Sequence, residues 1–339
     1  MNSFTQRRRP GRIAAAFLTA AMALSLAACG GGSSEDAKPA AEGSKPAAAE
    51  SAGFPRTITH DKGKTEVKSK PKRVVALDNS LVEAVVALDA PLVGGIGAYR
   101  DQKGFPAYLG DAVKETKDVG PLDNPNLEAI AALKPDLIVS ATVRHADFYD
   151  RLSQIAPTVF VKTTGPIWKE NITFLGQALG QEEKAQAKLT AYQTRAKKIG
   201  DAINAKGGGA NGKPTFSVVR FVDGPTRIYL PKTFSGIILN DMGLTRPENQ
   251  RDEVKFNIEI SEEQIQQADA DHIFMTSFSG GEERKKKFTA NPLWQRLNAV
   301  QKNQVHEVDD SVWMTSVSLQ GADIVLDDLA KAFQVDPAK

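Results

Sequence analysis

The stretch Gln181–Lys206, QEEKAQAKLTAYQTRAKKIGDAINAK, decides how the rest of the chain is read. Leu189, Tyr192, Ala196, Ile199 and Ile203 recur at steps of three and four, which places them on one stripe of an α-helix. Glu182 and Glu183 stand in its first turn, and Arg195, Lys197 and Lys198 lie towards its far end, the order the helix dipole favours. Gly207, Gly208 and Gly209 then break the pattern. At a rise of about 1.5 Å per residue the helix is roughly 40 Å long, enough to cross a domain. It has no internal proline, and Gly200 is its one weak point.

Working outward, both flanks alternate short apolar runs with helical patterns. Before the helix, two short strands around Gly63 are followed by Arg73–Leu77, a run suited to a buried strand. Asn79 and Ser80 can cap a helix over Leu81–Leu88. Strands at Pro91–Gly97, Asp136–Ser140 and Thr158–Lys162 alternate with helices at Leu127–Leu133 and Asp147–Ile155. After the long helix, strands Thr215–Phe221 and Thr226–Leu230, helix Phe234–Met242 and strand His272–Thr276 repeat the scheme. Such alternation predicts α/β architecture: two lobes with mostly parallel sheets, joined by one long helix. The halves also echo each other. Leu127-Glu128-Ala129-Ile130 leads to Asp136-Leu137-Ile138-Val139 as Glu262-Glu263-Gln264-Ile265 leads to Asp271-His272-Ile273-Phe274, with the acidic residues equally spaced.

The expected organisation is 1–28 as a signal peptide, 29–55 as a disordered tether, 56–166 as the first lobe, 167–208 as the linking helical segment and 213–337 as the second lobe. Arg7, Arg8, Arg9 and Arg12 form a positive n-region, and Ile13–Ala28 is an apolar run too short for a comfortable membrane span. It ends in Leu26-Ala27-Ala28-Cys29, which resembles the lipobox of bacterial lipoproteins, and Cys29 is the single cysteine. A free thiol is the alternative; if the lipobox holds, the mature body has no cysteine for disulfides or metal ligation. Residues Gly30–Gly53 carry no large apolar side chain and cannot offset the entropy of ordering. The formal charge of +2 argues against a nucleic-acid partner.

Three stretches carry a family resemblance: Asn126–Ile138 (NLEAIAALKPDLI), Arg144-His145…Tyr149…Leu152…Ile155-Ala156-Pro157-Thr158, and Gln320–Leu329 (QGADIVLDDL). Together they look like the iron–siderophore substrate-binding lipoproteins of ABC importers, over roughly Arg56 to Phe333. The first motif is shared by binding proteins for siderophores, haem and cobalamin; Arg144-His145 and Arg227-Ile228-Tyr229 are similar to the ferric-citrate and ferric-hydroxamate branch. The resemblance implies two lobes on a rigid helix, a ligand cleft between them, a ferric siderophore as ligand, no cofactor and no enzymatic activity. Another large chelate, haem or a corrinoid, is the alternative cargo. It implies further a monomer held to the membrane by a lipid on Cys29. An acidic residue on each lobe would dock on the ABC permease: Glu128 by its motif, and Asp241, or a neighbour such as Glu248, where the family usually has Glu at the position of Asn240.

The residues can be asked separately where a ligand would sit. In α/β sheets it binds at the loops leaving the carboxyl ends of strands. Those loops and strand ends supply Tyr99, Arg100, Arg144, Arg220, Arg227, Tyr229 and Trp313. A guanidinium offers a fixed fork of donors to carboxylate or hydroxamate oxygens, and an aromatic rim covers the organic part of a chelate. Each arginine has as its alternative a solvated surface charge or half of an ion pair, Trp313 and Tyr229 a place in the core. Strand alternation alone does not say which of Arg220 and Arg227 faces the cleft. His60, His145, His272 and His306 read as isolated from one another, so a bare-metal site is not expected. Gly94-Gly95-Ile96-Gly97 lacks the dinucleotide spacing, no nucleophile elbow or phosphate loop occurs, and Asp309-Asp310 reads as a strand end in solvent.

Overall fold

Val74, Val75, Leu137, Ile138 and Val159 are all completely buried, as strands must be when helices cover both faces of their sheet. The computed structural model describes residues 53–97, 99–100, 102–207 and 212–339. Cys29, the expected signal peptide and most of the expected tether lie outside them. Strands β1 (Arg56–His60) and β2 (Gly63–Val67) form an antiparallel hairpin. Strands β3 (Val74–Ala76), β4 (Leu92–Gly95), β5 (Lys117–Asp118), β6 (Leu137–Ala141) and β7 (Thr158–Val161) make a parallel sheet in the order β5-β4-β3-β6-β7. A second sheet holds β8 (Phe216–Phe221), β9 (Thr226–Tyr229), β10 (Asn257–Ile260), β11 (His272–Ser277) and β12 (Val305–Glu307) in the order β10-β9-β8-β11-β12. There β8, β11 and β12 are parallel, while β9 and β10 form an antiparallel edge.

The long helix runs from Glu182 to Lys206, and its buried residues are Ala185, Leu189, Tyr192, Ala196, Ile199, Gly200 and Ile203. It packs against Trp168–Leu179 after the first sheet and against Phe234–Asp241 and Leu319–Ala332 of the second lobe. One core passes through it, from Val74 and Leu137 by way of Leu189 and Ile199 to Phe216 and Phe274. Gly200 is a point of close approach rather than a weak one: a Cβ there would collide with the Met242 carbonyl oxygen.

The internal echo has a physical cause. Helix Leu127–Ala132 leads into β6, and the 3-10 turn Glu262–Ala268 into β11, each next to the central strand of its sheet. Asp136 accepts hydrogen bonds from the Lys72 and Arg73 amides at 2.7 and 2.9 Å, where β3 begins. Asp271 accepts from the Thr215 amide at 2.9 Å, where β8 begins. In each lobe the same carboxylate satisfies the otherwise unpaired start of the central strand.

Candidate ligand cleft

The carboxyl ends of β3 and β6 face those of β8 and β11 across a cleft between the lobes. Two adjoining cavities occupy it. One, of about 260 Å³, is lined by Tyr99, Val143 and Arg144 of the first lobe and by Arg220, Tyr229 and Phe256 of the second, among others. Its neighbour, of about 350 Å³, is lined by Tyr99, Arg100, Arg220, Asp223, Arg227, Tyr229, Phe278 and Ser279. Tyr99, Arg220 and Tyr229 border both. Every ligand residue expected from the sequence except Trp313 is therefore brought to one place.

Arg220 is the fixed point of the cleft. Its Nε and Nη2 donate to Asp310 Oδ1 and Oδ2 at 2.7 and 2.6 Å, a fork-to-fork pair, and Nη1 donates to the Tyr229 hydroxyl at 3.1 Å. The guanidinium lies 4.7 Å from the Phe278 ring centroid. Burial opposes its charge, yet the bonds to Asp310 and the neighbouring Tyr229 outweigh burial and hold the proton more tightly than usual. Arg220 and Arg227 are register partners in the β8–β9 ladder, so both project from the same face. Arg227 in turn reaches Glu259 on β10 at 3.3 Å.

On the first lobe Arg144 donates from Nε to Asp78 Oδ2 at 2.9 Å and sits 5.7 Å from the Tyr99 ring centroid. Asp78 also caps helix Asn79–Ala87: its Oδ1 accepts from the Ser80 amide at 2.9 Å. The cap thus comes one residue before the expected Asn79 and Ser80, and it orients a cleft arginine as well. Arg100 adopts a left-handed φ of 53°, is exposed, and has no ion-pair partner among the described residues. Tyr99 approaches Phe278 of the opposite lobe with ring centroids 6.2 Å apart.

The cleft floor is hydrogen-bonded across the lobes. Asn79 Nδ2 donates to the Thr315 carbonyl at 2.6 Å, and Gln320 Nε2 to the Glu83 carbonyl at 2.9 Å. The Glu83 carboxyl, wholly buried, accepts from the Tyr108 hydroxyl at 2.8 Å and meets Ser316 Oγ at 2.5 Å. Burial pushes it up to about 8, against the opposing effect of the Ser316 and Tyr108 hydrogen bonds, so it keeps its proton at neutral pH.

Trp313 requires correction. It is fully buried, its ring stacks on Phe274 at 4.8 Å, and Nε1 donates to Asp328 at 2.8 Å; the adjacent Met314 lines the cleft instead. Of the Asp309-Asp310 pair, only Asp309 is in solvent, because Asp310 is the counter-ion of Arg220. The histidines are not all isolated: His272 Nδ1 and His306 Nε2 lie 3.3 Å apart. Burial first, then the neighbouring His306 charge, lowers His272 to about 4. Among the described residues no group of three or more His, Cys, Asp or Glu is placed to hold a metal. His145 is buried between Ser140 Oγ at 2.8 Å and the Leu122 carbonyl at 2.6 Å, and burial lowers its pKa. The Leu122 carbonyl can only accept, so Nε2 carries the ring proton.

Glu128 is exposed in the first turn of its helix. Asp241 is occupied: Lys169 Nζ donates to both carboxylate oxygens at 2.8 Å, and the Tyr192 hydroxyl to Oδ2 at 2.9 Å. Glu248 is exposed in a short turn. Asp78, which lines the cleft, and the buried Glu83 and Asp310 behind it are not singled out as site residues by the sequence. A carboxylate set within an apolar helix pattern, as Glu83 is, was the one signal available for them.

Comparison with known proteins fits this geometry. The family described as periplasmic binding protein matches residues 74–312. The probable siderophore-binding lipoprotein YfiY of Bacillus subtilis is 36% identical, over 82% of this chain and 87% of its own length. The Fe(3+) dicitrate-binding periplasmic protein FecB of Escherichia coli is 29% identical, over 84% and 92%. The crystal structure of Staphylococcus aureus SirA complexed with staphyloferrin B superposes with a TM-score of 0.75 at 33% identity, covering 83% of this chain and 99% of that one.

Proposed function

Because the chain belongs to the periplasmic binding protein family, whose matched members bind rather than transform their cargo, we propose that it captures a ferric siderophore outside the cytoplasm and hands it to an ABC-type iron importer. One observation carries the choice of cargo. The cleft sets Arg100, Arg144, Arg220 and Arg227 beside Tyr99, Tyr229 and Phe278, an array of donors and aromatic faces with no metal-ligand set among the described residues. A chelate that already satisfies its iron needs hydrogen bonds to its outer oxygens and cover for its organic frame. Iron is here cargo, and the protein itself needs no cofactor.

The remaining parts of the reading follow from the same role. A lipid on Cys29 would hold a monomer near the membrane through the 29–55 tether. Docking on the permease falls to Glu128 and a second carboxylate. Glu263, exposed in the first turn after its Ser261 cap, has in the second lobe the place that Glu128 has in the first, whereas Asp241 is engaged by Lys169 and Tyr192. Calorimetric titration with ferric citrate, a ferric trihydroxamate, a ferric catecholate and haemin tests the cargo. Saturable binding of a ferric siderophore supports the reading, and binding of haemin alone overturns it in favour of a haem carrier.

A further inference from the structure

We propose that the cleft is built for an amphiphilic ferric chelate, with its anionic, oxygen-rich end against the arginines and an apolar arm against Val143 and Phe256. This deepens the ferric-siderophore reading and rests on it. Among the described residues the large apolar side chains left exposed are Val143 at 57%, Val254 at 78% and Phe256 at 48%. Single exposed apolar residues are ordinary on a soluble protein, whereas a cluster marks a binding surface. Here Val143 and Phe256 come from opposite lobes to line one cavity, whereas Val254 is not part of that lining.

The exposure is held by hydrogen bonds. Asp252 Oδ1 accepts from the Val254 and Lys255 amides at 2.8 and 3.0 Å, which fixes the turn, and the Phe256 carbonyl accepts from the Leu230 amide at 2.9 Å. Phe256 is therefore presented to the cleft at the start of β10.

The two ends of the cleft differ in character. Tyr99, Arg220 and Tyr229 border both cavities and mark the divide. Beyond them on one side lie Arg100 and Arg227 together with Asp223; Arg227 is paired with Glu259, as Arg220 is with Asp310, and Arg100 is the one unpaired among the described residues. On the other lie Val143, Pro166, Phe256 and Val317, set among Thr163, Thr164, Thr233 and Thr315. Arg144 is on this second side, but its charge is already matched by Asp78, whose side chain is 1% exposed. A uniformly polar chelate would leave Val143 and Phe256 facing water. One with an alkyl or aryl arm covers them.

The test compares two probes on the full chain: the ferric complexes of two citrate monoamides, one carrying a methyl arm and the other a hexyl arm. In the unaltered protein the hexyl arm should tighten binding by about tenfold or more, as expected for burying a few methylenes. In Val143→Ser/Phe256→Ser that ratio should collapse towards one, whatever happens to the absolute affinity for the methyl amide complex. Val254→Ser, outside the cavity lining, should keep the ratio. No advantage from the hexyl arm in the unaltered protein, or an unchanged ratio in the double variant, overturns the proposal. So does a Val254→Ser ratio as low as that of the double variant. Failure of every ferric chelate to bind would remove the underlying reading, and the inference with it.

Discussion

Replacing Asp310 with alanine would leave the Arg220 guanidinium in the cleft wall without its counter-ion. Both side chains are only 9% exposed, and the pair is bidentate at 2.6 and 2.7 Å. Removing one partner of such a buried pair costs about 3–5 kcal/mol, because the remaining charge loses its compensation without regaining water. The remaining Tyr229 hydroxyl, 3.1 Å from Nη1, is a neutral oxygen and cannot replace a carboxylate. Against a total stability on the order of 5–15 kcal/mol, Asp310→Ala should move the urea midpoint far enough to be unmistakable. The paired variant Arg220→Met/Asp310→Leu removes both charges and should recover most of that loss. Urea titrations followed by far-ultraviolet circular dichroism give both numbers. A single-variant cost under about 1 kcal/mol, or a paired variant as unstable as the sum of its singles, would refute the view of Arg220 as a charge held in place by Asp310.

Three further expectations can be checked. Glu83 titrates near 8 when folded against an ordinary 4.5; the folded state holds a proton that the unfolded chain lacks, so this stabilising contribution is lost as pH rises through that window, by a few kcal/mol in total. Glu83→Gln should flatten that slope, and matched unfolding curves at pH 5 and pH 8 read it. Arg144→Ala should weaken chelate binding by about 1.5–3 kcal/mol in calorimetry and also cost stability through the stranded Asp78, whereas Arg100→Ala should weaken binding and leave the unfolding curve in place. Glu128→Gln/Glu263→Gln should abolish chelate uptake by cells while the purified variant binds as before, whereas Asp241→Asn should lower stability; normal uptake in the double variant would exclude these two carboxylates from docking.

The parts legible in the sequence are those governed by periodicity and by strand-end chemistry. The stripe from Leu189 to Ile203 located the strut, because burial of one helix face needs that spacing and little else. Tyr99, Arg144 and Arg220 were legible as candidates because they stand at or just beyond the carboxyl ends of strands, where ligands gather in such sheets. What escaped was pairing across the chain. Asp310 lies 90 residues from Arg220, and no local pattern announces that one will neutralise the other. Trp313 was misplaced for a related reason: its neighbour Met314 shares the same short segment, and only the turn of the backbone there decides which one enters the core. Gly200 shows the limit of propensity arguments, since the residue that would loosen an isolated helix is here the one that lets Met242 pack against it.

The position of the iron shows whether the cleft holds a preformed chelate. Crystals grown with a ferric siderophore that binds in solution can be measured at the iron absorption edge, where the anomalous signal locates the metal independently of the organic ligand. A single strong peak is expected in the cleft between Tyr99 and Tyr229, facing the Arg220 guanidinium and ligated only by the chelate. Iron ligated by protein side chains, at the His272–His306 pair or anywhere else outside the cleft, would contradict this reading.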